Sequence, residues 1–347
     1  MNRKSLFLTC LLPVFIVLMA FLPNSAYSQS QPLTKVKFCL DWAWQGSHSA
    51  WAIADDLGYF KKEGLDLTID RGYGSASTMS KVAAKAYDIG YAPINGIIKF
   101  NYENPQDQLI MVLNIIENSP EGVIFLNKSK IKSPADLSGK TMAATMGEGT
   151  YLMFPLFAKA NNLDMKKIQW KYVEPQLRDA MVLQGHADAT VGFVTTTAIN
   201  MVRAGIPMND IGYLMYHSYG IELYSSGLVA RKDFVEKNPK IIQAFIRGTI
   251  GGVREMISNP EKAVESLKKR DPMLDSKIEL MRIQMLKDMA IFTPHVQKNG
   301  ISDISKTRFE KSAKSVAQAF GINVQPKLED VYTDKYLPAK ADRMLNK

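Results

Sequence analysis

The stretch over residues 36–74 limits the fold more than any other part of the chain. Val36, Phe38 and Leu40 alternate with Lys37 and Cys39, the period of a strand with one face more buried. The loop over residues 41–47 then concentrates two tryptophans, an acid and an amide. A helix is predicted over about 48–57, closed by Gly58. Gly64 opens a second strand over 65–69, in which Asp66 and Thr68 are the polar alternates. Strand, helix and strand at this spacing make a parallel βαβ unit. The loop at the carboxyl end of its first strand faces a ligand crevice. Asp41, Trp42, Trp44 and Gln45 are thereby placed where a small molecule would bind.

The amino end reads differently. Met-Asn-Arg-Lys-Ser is followed by a mostly apolar run over 6–22, and Ala26-Tyr27-Ser28 precedes Gln29. A charged start, an apolar middle and a small-residue exit predict a secretory signal peptide over 1–28. The run is near the length of a short membrane span, but Pro13 interrupts it, and Cys10 lies inside it instead of at its end. Without the leader only Cys39 remains, so no intrachain disulfide is expected even in an oxidising compartment. The remaining chain is too long for one small core and suits two lobes. The hydrophobic share of the full sequence, 46%, is enough to fill them. The formal charge of +9 includes Arg3 and Lys4 of the leader. Basic clusters such as Lys268-Lys269-Arg270 sit on helix faces beside acids, so nucleic acid is not an expected partner. His48, His186, His217 and His295 are scattered without metal-ligand spacing, and no P-loop or G-x-S-x-G elbow is present. No metal, cofactor or catalytic group is expected.

Ser75, Ala76, Ser77 and Thr78 follow two glycines and begin a predicted helix. Its free N–H groups serve either as an ordinary cap or as a site for an anion or carbonyl. A short strand over 87–91 leads to the loop holding Pro93 and Asn95, and another strand follows over 111–116. The apolar, β-branched run over 122–126 reads as a crossing into a second lobe. There Gly147, Gly149 and Thr150 precede an apolar helix that runs to residue 161, and glycines at such a place let backbone approach a ligand. A strand over 186–194 carries Phe193. Residues 83–91 and 184–193 share helix end, small-residue turn, aspartate and strand, so the second lobe echoes the first. The chain returns over 213–229, with Glu222, Tyr224 and Ser225 near the second hinge. Helices predicted over 241–257, 261–267, 276–290 and 308–320 form a tail on the outside of the first lobe, their methionines at core-filling spacing. The expected division is lobe 1 over 29–121 and 225–347, with lobe 2 over 122–224.

The pattern LDWAWQGSH, an apolar helix, GYF, two charged residues and EGLD resembles the binding proteins of ABC importers for nitrate, alkanesulfonates, taurine and thiamine-pyrimidine precursors. The Asp-Trp pair and the His at these offsets look most like the pyrimidine-precursor branch, although Trp44 stands where that branch usually has proline. SPADLSGKTMA over 133–143 is similar to a segment common at the start of the second lobe. The resemblance implies an α/β fold of two lobes (a type II periplasmic binding protein), each a mainly parallel sheet flanked by helices. It also implies a ligand cleft between the lobes, periplasmic location, a monomer and a membrane permease as partner. The loop with Pro93 and Asn95 would line that cleft.

Trp42 and Trp44 offer faces for a planar ring or a cation, or else plug the core. Asp41 either accepts hydrogen bonds from ring nitrogens or caps a helix, and His48 either donates to the ligand or packs inside. Glu222, with Tyr224, offers an acid for an aminopyrimidine edge. Arg71 and Lys99 flank the cleft loops and Arg178 lies farther off, which leans toward a neutral or cationic, nitrogen-rich heterocycle. Taurine, sulfonate, nitrate and aromatic acids stay open, because helix N-termini alone hold anions. A second class is an enzyme, since the same resemblance includes a pyrimidine synthase that consumes its own histidine. His48 with Lys61 or Lys62 suits that reading, but that enzyme's cysteine-rich motif is absent, and residues 223–228 read LYSSGL. A third class is a binding module that signals through a membrane partner.

Overall fold

The alternation at Val36 and Phe38 produces β1 (Thr34–Cys39), which lies between β2 (Leu65–Asp70) and β3 (Ile89–Pro93), both parallel to it. Beyond β3 come β10 (Ser226–Arg231), antiparallel, and then β4 (Leu109–Asn114). The first sheet therefore runs β2-β1-β3-β10-β4. A second sheet is built from β5 (Glu121–Leu126), β6 (Thr141–Ala144), β7 (Gln169–Tyr172), β8 (Ala189–Phe193) and β9 (Ile211–Met215), in the order β7-β6-β8-β5-β9. In the computed structural model, residues 32–345 are described, together with Met1. The expected signal segment otherwise lies outside them. No described helix is long and apolar enough to cross a membrane.

The two sheets match strand for strand, and the repeated aspartate shows why. Asp88 precedes β3; its carboxylate accepts from the Lys37 amide at 2.9 Å, and its own amide donates to Lys37 O. Asp188 precedes β8 and makes the same two bonds with Thr141. Each aspartate staples a strand to its parallel neighbour, β3 to β1 and β8 to β6. Helices follow equivalent strands in the two lobes: Ser75–Ala83 after β2 and Ile94–Glu103 after β3 in the first, Pro175–Leu183 after β7 and Val194–Arg203 after β8 in the second. All of them start at the carboxyl ends of the strands, so their N-termini converge on one crevice.

The tail differs from the sequence expectation. Helix Pro239–Ser258 does pack on the first lobe, against helix Ser49–Asp56. That approach depends on Gly252, where a Cβ would stand 2.1 Å from Ala50 O. Helix Lys306–Ala319, however, is not confined to the first lobe's exterior. Its buried Phe309, Ala313 and Val316 belong to a core that joins Met79 and Ile97 of the first lobe to Phe154 and Phe157 of the second. Arg308, at its start, pairs with Glu117 and donates to Asn118 Oδ1 at 2.8 Å. The tail thus clamps the segment linking β4 to β5, because its apolar stripe finds partners on helices of both lobes.

Candidate functional site

Five segments bring a small cavity of about 40 Å³ together at the crevice. The first lobe contributes Asp41, Trp42 and Gln45 from the loop after β1, and Ser75 from the helix after β2. The second contributes Glu148, Gly149 and Thr150 after β6, Arg178 after β7, Phe193 at the end of β8 and Thr196 beyond it. Of the residues expected from sequence, the cavity gathers Asp41, Trp42, Gln45, Ser75, Gly149, Thr150 and Phe193.

The others are nearby in different roles, or elsewhere. His48 is buried and does not line the cavity. Its Nε2 meets Asp41 Oδ1 and its Nδ1 meets Ala43 O, each at 3.0 Å, so it holds the loop in shape. Trp44 packs edge-on to His48 and faces a larger chamber outside the cavity. Ala76 and Gly147 bridge the lobes: the Ala76 amide donates to Gly147 O at 3.2 Å, and Gly147 makes the turn with φ 78°. Pro93 backs the cavity, its ring lying where a Cβ on Gly149 would be 3.2 Å away. Asn95 donates to Tyr224 O at 2.7 Å and leaves its buried Oδ1 without a partner.

Glu222 and Tyr224 do not reach the cavity. Glu222 is exposed. Tyr224 is buried but turned to the tail, its hydroxyl accepting from the Ser305 amide at 2.8 Å and its ring lying under Arg308, 4.2 Å away. The segment between β9 and β10 has no regular period here, so strand parity could not orient these side chains.

Arg178 corrects the reading of charge. It does not lie away from the cleft but in its wall, 1% exposed, with its guanidinium 5.4 Å from the centre of the Trp42 ring. It pairs with Glu148 and with Asp179 and donates to Thr197 Oγ1 at 2.6 Å. Burial works against its charge, but Asp179 and Glu148 outweigh that and hold it protonated. Burial pushes the Glu148 carboxyl up against the opposing pull of Arg178. Beneath the cavity lies Glu121, 1% exposed at the start of β5, its Oε1 3.9 Å from where a Cβ on Gly149 would stand. Burial pushes its carboxyl up to about 8, with the Ser119 hydroxyl opposing and Glu148 adding to the rise. A carboxylic acid that stays protonated near neutral pH can donate as well as accept.

Sequence reasoning missed Glu121, Glu148, Arg178 and Thr196. Glu148 stands between two glycines already singled out, and Thr196 lies in the first turn of the helix after β8, as Asn95 does in the helix after β3. The repeat carried both signals. Arg178 carried a weaker one, as a first-turn residue of the helix begun by Pro175. Several buried polar atoms around the cavity have no protein partner, among them Glu121 Oε2, Glu148 Oε2 and Thr150 Oγ1. Such atoms are costly unless something satisfies them. A ligand rich in N–H donors would do so.

Residues 45–263 match the family model described as NMT1/THI5 like. The chain belongs to this family. A formylaminopyrimidine-binding protein of Halalkalibacterium halodurans is 26% identical over 267 residues, 76% of this chain and 78% of that one. The 4-amino-5-hydroxymethyl-2-methylpyrimidine phosphate synthase of Legionella pneumophila is 20% identical over 307 residues, 88% of this chain and 93% of that one. The alkanesulfonate-binding protein SsuA of Xanthomonas axonopodis pv. citri superposes with a TM-score of 0.66 at 13% identity, covering 87% of this chain and 99% of that one. The fold of this family member is therefore that of a two-lobed periplasmic binding protein.

Proposed function

We propose that this protein is the extracytoplasmic solute-binding component of an ABC importer, and that it captures a planar, nitrogen-containing heterocycle of the thiamine-pyrimidine-precursor type. The observation that carries this is the composition of the inner cavity. Both lobes wall it, Trp42 offers an aromatic face, and Asp41 and Glu148 supply carboxyl groups that outnumber the single guanidinium of Arg178, with Glu121 buried beneath. An aminopyrimidine has a flat ring for the first and exocyclic N–H donors for the second. The formylaminopyrimidine-binding relative supports the same class. Arg178 does not favour a sulfonate or nitrate, because Glu148 and Asp179 already neutralise it.

Ligand cavities ordinarily hold about 300–1,000 Å³. At about 40 Å³ the inner cavity must widen before a ring enters, by the lobes parting about their hinge segments. Closure is then a population shift driven by contacts from both sides. The synthase relatives do not lead us to an enzyme. His48 is engaged with Asp41 and Ala43 O, and neither Lys61 nor Lys62, on the short helix Tyr59–Lys62, lines the cavity. The permease would read the closed form, and the leader would place the protein outside the cytoplasm.

A thermal-shift screen of the purified protein against aminopyrimidines, sulfonates and aromatic carboxylates tests the reading. A ligand at 100 times its Kd stabilises a fold by about 2.7 kcal/mol, an easily read shift. Response to sulfonates or carboxylates with none to aminopyrimidines would overturn the ligand class.

A further inference from the structure

The inner cavity opens beside a second, larger chamber of about 380 Å³, and Trp42 and Gln45 line both. Their charges are opposite in sense. The inner wall has an excess of carboxyl groups over its one arginine. The outer wall carries Arg71, Arg203 and Arg282 against Asp179 and Glu279. Both of those acids are committed. Asp179 pairs with Arg178 and accepts from Asn200 at 2.6 Å, while Glu279 pairs with the buried Arg282 at 3.0 Å. Arg71 and Arg203 are left with no carboxylate partner among the described residues. Arg71 follows β2 on the first lobe, its guanidinium 4.6 Å from the Tyr73 ring centre, and Arg203 ends helix Val194–Arg203 on the second. They flank the chamber from opposite lobes.

We propose that the cleft is a two-chamber site for a bipolar ligand, with an amino-bearing planar ring in the acid-walled inner chamber and an anionic substituent, phosphate or carboxylate, between Arg71 and Arg203 in the outer one. This rests on the solute-binding reading above and extends it to the ligand's second half. The volumes fit that division: a ring fills the widened inner cavity, and a substituent needs room that the outer chamber already has. Because the two arginines come from different lobes, an anion between them joins the lobes as well as binding to each.

Calorimetry of the purified protein with 4-amino-5-hydroxymethyl-2-methylpyrimidine and with its phosphate ester tests this. The pair shares one ring and differs only in the anion. The ester is expected to bind about tenfold more tightly or better, as two charge-assisted contacts in a partly exposed site predict, and the gain should shrink at high salt. In the Arg71→Ala, Arg203→Ala double variant, alcohol and ester should bind alike. An ester that binds no tighter than the alcohol, or a gain that survives in the double variant, overturns the two-chamber proposal while leaving the ring site standing. If neither compound binds, the pyrimidine reading fails and this proposal with it.

Discussion

Glu121 makes the stability of this protein depend on pH in a direction opposite to that of most carboxylates. Its carboxyl is displaced from 4.5 to about 8 by burial, with Glu148 reinforcing the effect. Between these values the folded chain keeps a proton that the unfolded chain has released. The stability tied to this group is therefore complete below about pH 4.5 and is lost progressively as pH rises through about 8. At about 1.4 kcal/mol per pH unit, the displacement amounts to about 5 kcal/mol, an upper figure because water entry and relaxation near the cleft reduce it. Glutamine keeps the shape and is neutral at every pH. Glu121→Gln should match the wild type near pH 4.5 and become the more stable protein as pH rises, by about 2 kcal/mol or more near pH 8. Urea denaturation of both proteins in steps from about pH 5 to about pH 8.5 measures this, with the difference between the two curves isolating Glu121 from Glu148 and other groups. Parallel curves across that range would refute the argument, since they would mean that Glu121 ionises in the folded state as it does in water.

Other expectations are equally direct. Trp42→Ala should weaken ligand binding at least about tenfold with little change in thermal stability, and unchanged affinity in calorimetry would remove Trp42 from the site. Arg178→Ala leaves Glu148 and Asp179 buried without their partner and should cost about 3–5 kcal/mol in urea denaturation, whereas a loss below about 1 kcal/mol would show that the network relaxes freely. Arg282 reaches from helix Ser276–Leu286 to Thr195 O, Thr196 O and Asn200 on the second lobe. Arg282→Ala should shift the ligand-free protein toward the open form, read as a larger radius of gyration in solution scattering, and an unchanged radius would deny it a part in closure. Gly252→Ala forces a Cβ against Ala50 O and should destabilise the fold by about 1–3 kcal/mol, with a neutral result showing that the two helices can part.

The parts of the site readable from sequence are those set by local period. The alternation in β1 fixed where its loop emerges, and that loop carries Asp41 and Trp42 into the cavity. Glycines before a helix did the same for Gly149 and Thr150. What failed depended on contacts far apart in the chain. Arg178 enters the cleft because β7 is the sheet neighbour of β6, a pairing with no local signature. Glu121 stands one residue before the apolar run over 122–126, so that run does not reveal it as the first residue of β5. Glu222 was aimed at the cleft by its place near a hinge, but residues 221–225 follow no strand or helix period. The tail helix carries an apolar stripe that reads the same whether one surface or two cover it, so the stripe does not reveal that both lobes share it.

The order of strands also constrains how the molecule is assembled. All five strands of the second sheet come from one unbroken stretch, whereas the first sheet needs β10, which is made only after that stretch is complete. Until β10 arrives, β3 and β4 have no common neighbour, and the edge each presents to the gap is unpaired. Such edges invite pairing with other chains. A chain emerging amino end first thus carries an unfinished sheet while the whole second lobe is threaded out behind it. Delay in that interval would favour aggregation through the gap between β3 and β4.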